Sequence, residues 1–268
     1  MFVNSIFAAT VDIVLTLLIG AIIGFSAGMF GIGGALLSTP LLRLLVGLPA
    51  VLAVATPLPA AVPAAITGSI VYARQKMVRF DIAWRTLLMA FPLTVVGALL
   101  TGQTPDVVLM ILTGLVLIWS AWSFIERGWK IGARGKQQPH PTGDPNRSSG
   151  VMYGAGALSG FLSGFLAIGG GIVLGPAFMN VAKLPTKTAL ATSLFCVACL
   201  SVPNTVAHGL EGNIHWPTAL LLCCTSIPSS MLGARLATRL HSATLERIYG
   251  ALMMAFAVGF TVWAMANG

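Results

Sequence analysis

The sequence predicts an all-α, polytopic membrane protein made of two inverted-topology repeats with broken, re-entrant helices. Of its 268 residues, 56% are hydrophobic and 8% are charged, whereas a soluble domain carries roughly 25% charged residues. Apolar runs such as 13–42 and 46–73 exceed the roughly 20 residues that a helix needs to cross a bilayer. They lack the short alternating pattern of membrane β-strands. Helical spans are therefore expected.

The chain repeats itself at a constant interval. Gly24 recurs as Gly160, and at the same interval the motif Ile32-Gly33-Gly34 recurs at 168–170. Other residues that match at this interval, and are called equivalent below, are Gly28 with Gly164, Pro40 with Pro176, Pro49 with Pro185, Thr56 with Thr192, Pro92 with Pro228 and Gly97 with Gly233. Internal duplication in an apolar chain is typical of membrane transporters. We predict a first repeat at 1–125, a linker at 126–149 and a second repeat at 150–268.

Each repeat contains five apolar elements, of which the second is short. In the first repeat they are expected at 11–30, 35–47, 51–73, 82–100 and 105–124, and in the second at 151–168, 172–182, 186–208, 217–238 and 243–266. A helix over 35–47 measures roughly 20 Å, less than a full span. The pattern predicts about 8 spans, or about 10 if the half-helices are counted separately.

The distribution of cations favours an inverted second repeat. An odd number of elements reverses the direction in which the second repeat enters the membrane. If both termini are periplasmic and the linker 126–149 is cytoplasmic, every one of the 15 Lys and Arg residues except Arg43 lies on the cytoplasmic side. Parallel repeats do not satisfy this rule, because the segment 210–213, which matches the basic loop after residue 73, has no cation.

Two glycine clusters interrupt the chain before the short helices. Backbone without regular structure is tolerated at membrane depth only where protein buries it or where it lines a wet cavity. The amino end of the helix that follows presents unpaired N–H groups and a partial positive charge, which bind anions. The clusters predict a shared anion site at the bilayer midplane, formed by Gly31, Gly33, Gly34, Gly169, Gly170 and Gly171.

Glycines in membrane helices also allow close helix packing, which is the alternative for both clusters. Packing is the preferred interpretation for Gly24-x-x-x-Gly28 and Gly160-x-x-x-Gly164. These pairs have the small-x-x-x-small spacing of helix interfaces, whereas the two clusters are too dense for packing alone.

Polar residues of the third element complete the predicted site. They are Thr56, Thr192, Ser193 and Asn204. A hydroxyl beside a helix break can donate to a ligand oxygen, although it can equally bond back to its own helix. Asn204 lies within a span, so we expect it to face protein or water. His208 is either a proton-coupling residue or, in the preferred interpretation, an ordinary interfacial histidine.

The sequence argues against enzymatic and nucleic-acid functions. The four cysteines lie inside apolar segments and are expected to pack rather than to hold a metal. The sequence of 24–28 fits the nucleophile pattern G-x-S-x-G, but it lies within a predicted membrane helix rather than at a strand-to-helix turn. The net charge of +8 is carried by loops, which indicates topology rather than a nucleic-acid partner. We expect no catalytic residue, cofactor or metal, and the expected partners are lipid and a small anion.

Two long segments resemble a known family. They are GFSAGMFGIGGALLSTPLL at 24–42 and GFLSGFLAIGGGIVLGPAF at 160–178, accompanied by AVATPL at 53–58 and ALATSL at 189–194. They are similar to the TauE/SafE sulfite exporter family, which comprises transporters of the 4-toluene sulfonate uptake permease type. The resemblance implies a transporter of the bacterial inner membrane for sulfite, sulfonates or other sulfur-containing or organic anions.

Together these observations predict a secondary transporter, acting as an exporter, that works by alternating access around the midplane site. A coupling proton is one candidate for the driving force, and uniport is the other. An anion channel that uses the same helix ends is the alternative function. An integral membrane enzyme would need a reactive dyad within the spans, and the polar residues do not supply one.

Overall fold

The computed structural model describes residues 2–33, 35–105, 107–109, 111–116, 118–120, 122, 126, 149–167 and 169–267. In chain order its helices are α1 (Phe2–Phe30), α2 (Ala35–Leu41), α3 (Ala50–Ala55), α4 (Leu58–Arg74), α5 (Phe80–Thr101), α6 (Ser149–Phe165), α7 (Gly171–Asn180), α8 (Thr186–Leu210), α9 (Trp216–Arg239) and α10 (Ser242–Asn267). Residues 107–109, 111–116 and 118–120 are helical as well. Gly34 and nearly all of the predicted linker lie outside the described residues.

The prediction of a helical, polytopic membrane protein is confirmed. Five segments of the described chain are long and apolar enough to cross a membrane: Asp12–Phe30, Ala50–Arg74, Phe80–Thr101, Thr186–Leu210 and Trp216–Arg239. The short elements predicted after each glycine cluster are present as Leu37–Val46 and Gly171–Asn180. The total of about 8 spans stays a prediction.

The third element differs between the two halves. In the first half it is divided into α3 and α4, which meet at Thr56 and Pro57. Proline has no N–H to donate, so a helix that reaches it loses a backbone bond. In the second half the element is the single helix α8, with Pro203 inside it. A 25-residue span results in both cases.

Helices of one half pack along helices of the other. On α1, Gly20, Gly24 and Gly28 face Leu222, Ser226 and Ser230 of α9. On α6, the equivalent glycines face the equivalent residues of α5: Gly156, Gly160 and Gly164 meet Thr86, Ala90 and Thr94. A Cβ at any of these six glycines would overlap the facing backbone. The packing role predicted for Gly24, Gly28, Gly160 and Gly164 is confirmed.

The order of these contacts gives the direction of the helices. Later residues of α1 meet later residues of α9, so the two helices run in the same direction, and the same holds for α6 and α5. The end of α4 lies beside the end of α1, because the Tyr72 hydroxyl donates to the Gly28 carbonyl at 2.9 Å. Gly68, earlier on α4, also lies against the Gly28 backbone.

Candidate functional site

The two glycine clusters, called the glycine breaks below, meet at one side chain of α8. The Ser193 Oγ lies 2.9 Å from the carbonyl oxygen of Gly31 and 3.1 Å from that of Gly171. Ser193 is fully buried. Because a hydroxyl has one hydrogen to donate, the two carbonyls share it. Two regions that are distant in the sequence are thereby joined within the protein.

One turn further along α8, Val197 lies against both breaks. A Cβ added to Gly169 would lie 3.1 Å from Val197 Cγ1, and one added to Gly33 would lie 2.5 Å from the same atom. Both glycines have left-handed backbone angles, with φ of +71° at Gly169 and +79° at Gly33. Glycine suits the backbone angle at both positions, and at Gly33 an added Cβ would also overlap Val197.

The amino end of α7 lies at the junction, which is the place where Ser193 and Val197 of α8 contact both glycine breaks. Gly170, with φ of +72°, precedes the helix, whose first residues Gly171 and Ile172 are buried. The Gly170 carbonyl accepts a hydrogen bond from the Ser159 hydroxyl at 2.9 Å. The first N–H groups of a helix have no partner within that helix, and its dipole places a partial positive charge there. The segment 160–182 contains no Lys or Arg, so this charge comes from the backbone. The corresponding end in the first half includes Gly34, outside the described residues.

Thr56 and Thr192 each bind the start of a helix in the opposite half. The Thr192 Oγ1 accepts the Arg79 N–H at 3.0 Å and donates to the Thr188 carbonyl of its own helix at 2.7 Å. The Thr56 Oγ1 accepts the His215 N–H at 3.1 Å. Arg79 and His215 directly precede α5 and α9 and are themselves equivalent positions of the two repeats. Both threonines are fully buried. Each hydroxyl accepts one bond from the opposite half, and the ligand role predicted for the two threonines stays a prediction.

Asn204 and His208 face α6. The Asn204 Nδ2 donates to the Ser163 carbonyl at 3.1 Å and to the Ser163 hydroxyl at 2.9 Å, which agrees with the expectation that Asn204 faces protein or water. The His208 Nε2 lies 3.1 Å from the Gly164 carbonyl. Its side chain is fully buried and lies near the end of the span Thr186–Leu210; both interpretations of His208 stay predictions.

The histidine contact has an equivalent in the first half. Tyr72 and Gly28 are the equivalents of His208 and Gly164, and the Tyr72 hydroxyl bonds the Gly28 carbonyl as the imidazole bonds Gly164. The sequence interpretation missed Ser163, Val197 and Ser201. The spacing 193, 197 and 201 places three residues on one face of a helix, and that periodicity is the signal that would have found the last two.

Comparisons with known proteins agree on the class. The family model described as "Sulfite exporter TauE/SafE" matches residues 16–260. A "Probable membrane transporter protein" of Xylella fastidiosa (strain Temecula1 / ATCC 700964) is 28% identical over 263 residues, which are 94% of this chain and 95% of the relative. YunE of Bacillus subtilis (strain 168), a "Probable membrane transporter protein", is 24% identical over 254 residues, 88% of this chain and 92% of the relative.

A plant protein matches a shorter part. "Sulfite exporter TauE/SafE family protein 3" of Arabidopsis thaliana is 31% identical over 104 residues, 38% of this chain and 22% of the relative. No solved structure matches the chain significantly.

Proposed function

Because this chain belongs to the sulfite exporter TauE/SafE family, we propose that it is a secondary transporter that exports small sulfur-containing or organic anions, such as sulfite or sulfonates. Membership makes it a membrane transporter of this type. The substrate class is supported by the family description and by one observation on the molecule. Two glycine breaks from different halves meet beside the electropositive start of a buried helix.

The anion binds at the amino end of α7, beside Gly169, Gly170 and Gly171. Sulfite and sulfonate oxygens accept hydrogen bonds, and the first N–H groups of a helix donate them. Binding to the backbone, without a buried cation, leaves the site weak enough to release the anion on the other side. The junction with Gly31 and Gly33 makes the first half one wall of the site.

The two halves are inverted repeats in a bacterial inner membrane, with residues 126–149 on the cytoplasmic side. Directions within the fold support this. The Ser226 and Ser230 hydroxyls of α9 bond the Ala60 and Ala64 carbonyls in the same order, so α4 runs with α9 and α1. We take α5, which follows α4 after the segment 75–79, to run back in the opposite direction. Since α6 follows the direction of α5, it is opposed to its repeat equivalent α1. Alternating access then moves the glycine-packed pairs, α1 with α9 and α5 with α6, about the junction.

A charge test at Gly169 examines the site. Asp and Asn both tolerate a left-handed backbone angle and have nearly the same volume, but only Asp adds a negative charge at the helix start. We expect Gly169→Asp to abolish exchange of labelled sulfite in proteoliposomes and Gly169→Asn to retain a measurable part of it. Equal exchange by the two variants, at equal thermal stability, would place the anion elsewhere.

Counterflow distinguishes a carrier from a channel at the same site. Vesicles preloaded with unlabelled anion should accumulate labelled anion transiently, because a carrier exchanges one for the other. A large unitary current without counterflow would identify a channel instead.

A further inference from the structure

Three residues on one face of α8 form a polar track, defined here as Ser201, Asn204 and His208. Their spacing of three and four residues places them on the same side of the helix, and all three are fully buried. Within the described part of the chain, the Ser201 Oγ, Asn204 Oδ1 and His208 Nδ1 have no hydrogen-bond partner. Each buried polar atom left unpaired costs about 1–3 kcal/mol. Three on one face indicate a ligand that satisfies them.

The hydrogen bonds that these side chains make determine whether each unpaired atom is a donor or an acceptor. A carbonyl only accepts, so the Nε2 of His208 must carry the hydrogen that it donates to Gly164. Its Nδ1 is then an acceptor in the neutral ring. Asn204 directs its amide nitrogen at the Ser163 carbonyl, which leaves the amide oxygen as an acceptor. Two acceptors and one hydroxyl suit water, which donates two hydrogens, and disfavour an anion.

The polar track leads to the glycine break. The Ser201 Oγ lies 3.8 Å from the position that a Cβ on Gly169 would occupy, and Ser201 is one turn beyond Val197. His208 is at the other end of the track, where Thr101 of α5 also donates to the Gly164 carbonyl at 3.4 Å. The track therefore connects the end of α8 with the junction.

The first half has no such track at the equivalent positions. The residues there are Ala65, Gly68 and Tyr72, and the Tyr72 hydroxyl is satisfied by the Gly28 carbonyl. The packing of the two halves matches in detail, so this difference is not required by the fold. The difference indicates that these polar atoms serve a function of the second half.

We propose that the polar track holds a short file of water that carries protons between His208 and the glycine break, so that anion movement is coupled to protons through the second half. A proton adds to the Nδ1 lone pair, giving an imidazolium that still donates from Nε2 to Gly164, and it returns from Nδ1 to the adjacent water. The charged group that acts on the ring from the described residues is Glu211, which follows α8. The facing residues of α5 and α6, Thr101 and Gly164, do not titrate. The coupling role rests on the proposed anion transport.

Repeat-swapped variants test the coupling. His208→Tyr installs the residue found at the equivalent position, which retains a donor for Gly164 and removes the proton acceptor. Tyr72→His is the mirror control. The probe is labelled thiosulfate, which stays fully ionised near neutral pH, in proteoliposomes with the membrane potential clamped.

A gradient of about one pH unit should drive accumulation by about tenfold for each proton coupled. Wild type and Tyr72→His should both accumulate the probe. His208→Tyr should exchange thiosulfate at the wild-type rate and show no accumulation driven by the pH gradient. If that variant does not fold, His208→Gln, which also retains an N–H donor, takes its place.

The outcomes separate the two proposals. Accumulation by the His208 variant equal to that of wild type, with equal exchange, overturns the proton path and leaves anion transport intact. Absence of thiosulfate and sulfite exchange by the wild-type protein overturns the proposed function.

A second measurement does not depend on the substrate. In the protein labelled with ¹⁵N at histidine, the His208 Nδ1 should show magnetisation transfer from water, and Ser201→Ala, the residue of the first half, should weaken it. A dry Nδ1 would exclude the water file whatever the transport assay shows.

Discussion

The third elements of the two halves, α3–α4 and α8, occupy equivalent places and differ in what they carry. Both hold the opposite half through a threonine, Thr56 or Thr192, that accepts an N–H ahead of a helix. Both bond a glycine carbonyl of the first helix near their ends, through Tyr72 or His208. The shared contacts therefore form the frame of the protein.

The differences between the two elements lie on the face of α8 that meets the breaks. Ser193, Val197, Ser201 and Asn204 stand where the first half has Pro57, Ala61, Ala65 and Gly68. The comparison teaches that the two halves share their packing, while the polar side chains that face the breaks lie in the second half. In the first half the buried Ser69 hydroxyl of α4 also lacks a hydrogen-bond partner among the described residues. The predictions below test this division.

The largest effect is expected where two helices pack most closely. Gly160→Leu forces a side chain into the backbone of Ala90, and overpacking costs about 1–3 kcal/mol or more. Gly24→Leu, its equivalent against Ser226, should lose as much. The matched control is Gly154→Leu on the same helix α6, since Gly154 has open space around it. Thermal unfolding and the yield of monodisperse protein measure the loss, and a tolerated Gly160→Leu would contradict the packing described.

Ser193→Ala should reduce transport strongly. It removes the hydroxyl that joins the Gly31 and Gly171 carbonyls, at a cost of about 1–3 kcal/mol, and the proline at the equivalent position of the first half cannot replace it. We expect exchange of labelled sulfite to fall by about tenfold or more.

Ser159→Ala is the control for Ser193→Ala, because it removes one bond to Gly170 and leaves the junction joined. Unchanged exchange in Ser193→Ala would show that the junction does not form the site.

Thr56→Val and Thr192→Val should cost similar free energies of unfolding. Each removes one partly buried hydrogen bond between the halves, which is worth about 0.5–1.5 kcal/mol. Equal losses would sharpen the equivalence of the halves. Loss of anion binding in folded Thr192→Val would instead support the ligand role that the sequence predicts for these threonines.

The smallest effect is expected for Tyr72→Phe. The Gly28 carbonyl loses one side-chain donor, worth about 0.5–1.5 kcal/mol. Anion exchange and its response to a pH gradient should not change. A loss of coupling in this variant would mean that the first half also has a part in proton transfer.

The spans and breaks of this fold could be predicted because glycine, proline and apolar runs act locally. The element predicted at 186–208 is α8, Thr186–Leu210, and the half-helix predicted at 172–182 is α7, Gly171–Asn180. The partners of polar residues could not be predicted. Thr56 binds a backbone group of His215, far away in the sequence, and Ser193 bonds a glycine of the other half. Such contacts depend on which half covers each helix, which periodicity does not reveal.

The interlocking of α1 with α9 and of α6 with α5 has a consequence for biogenesis. When the first half has been synthesised, the helix that packs on Gly20, Gly24 and Gly28 of α1 has not yet been made, because that helix is α9. The packing of α1 is therefore completed only after nearly the whole polypeptide has been made. We expect a chain truncated after α8 to be degraded, because α1 would lack its partner helix α9.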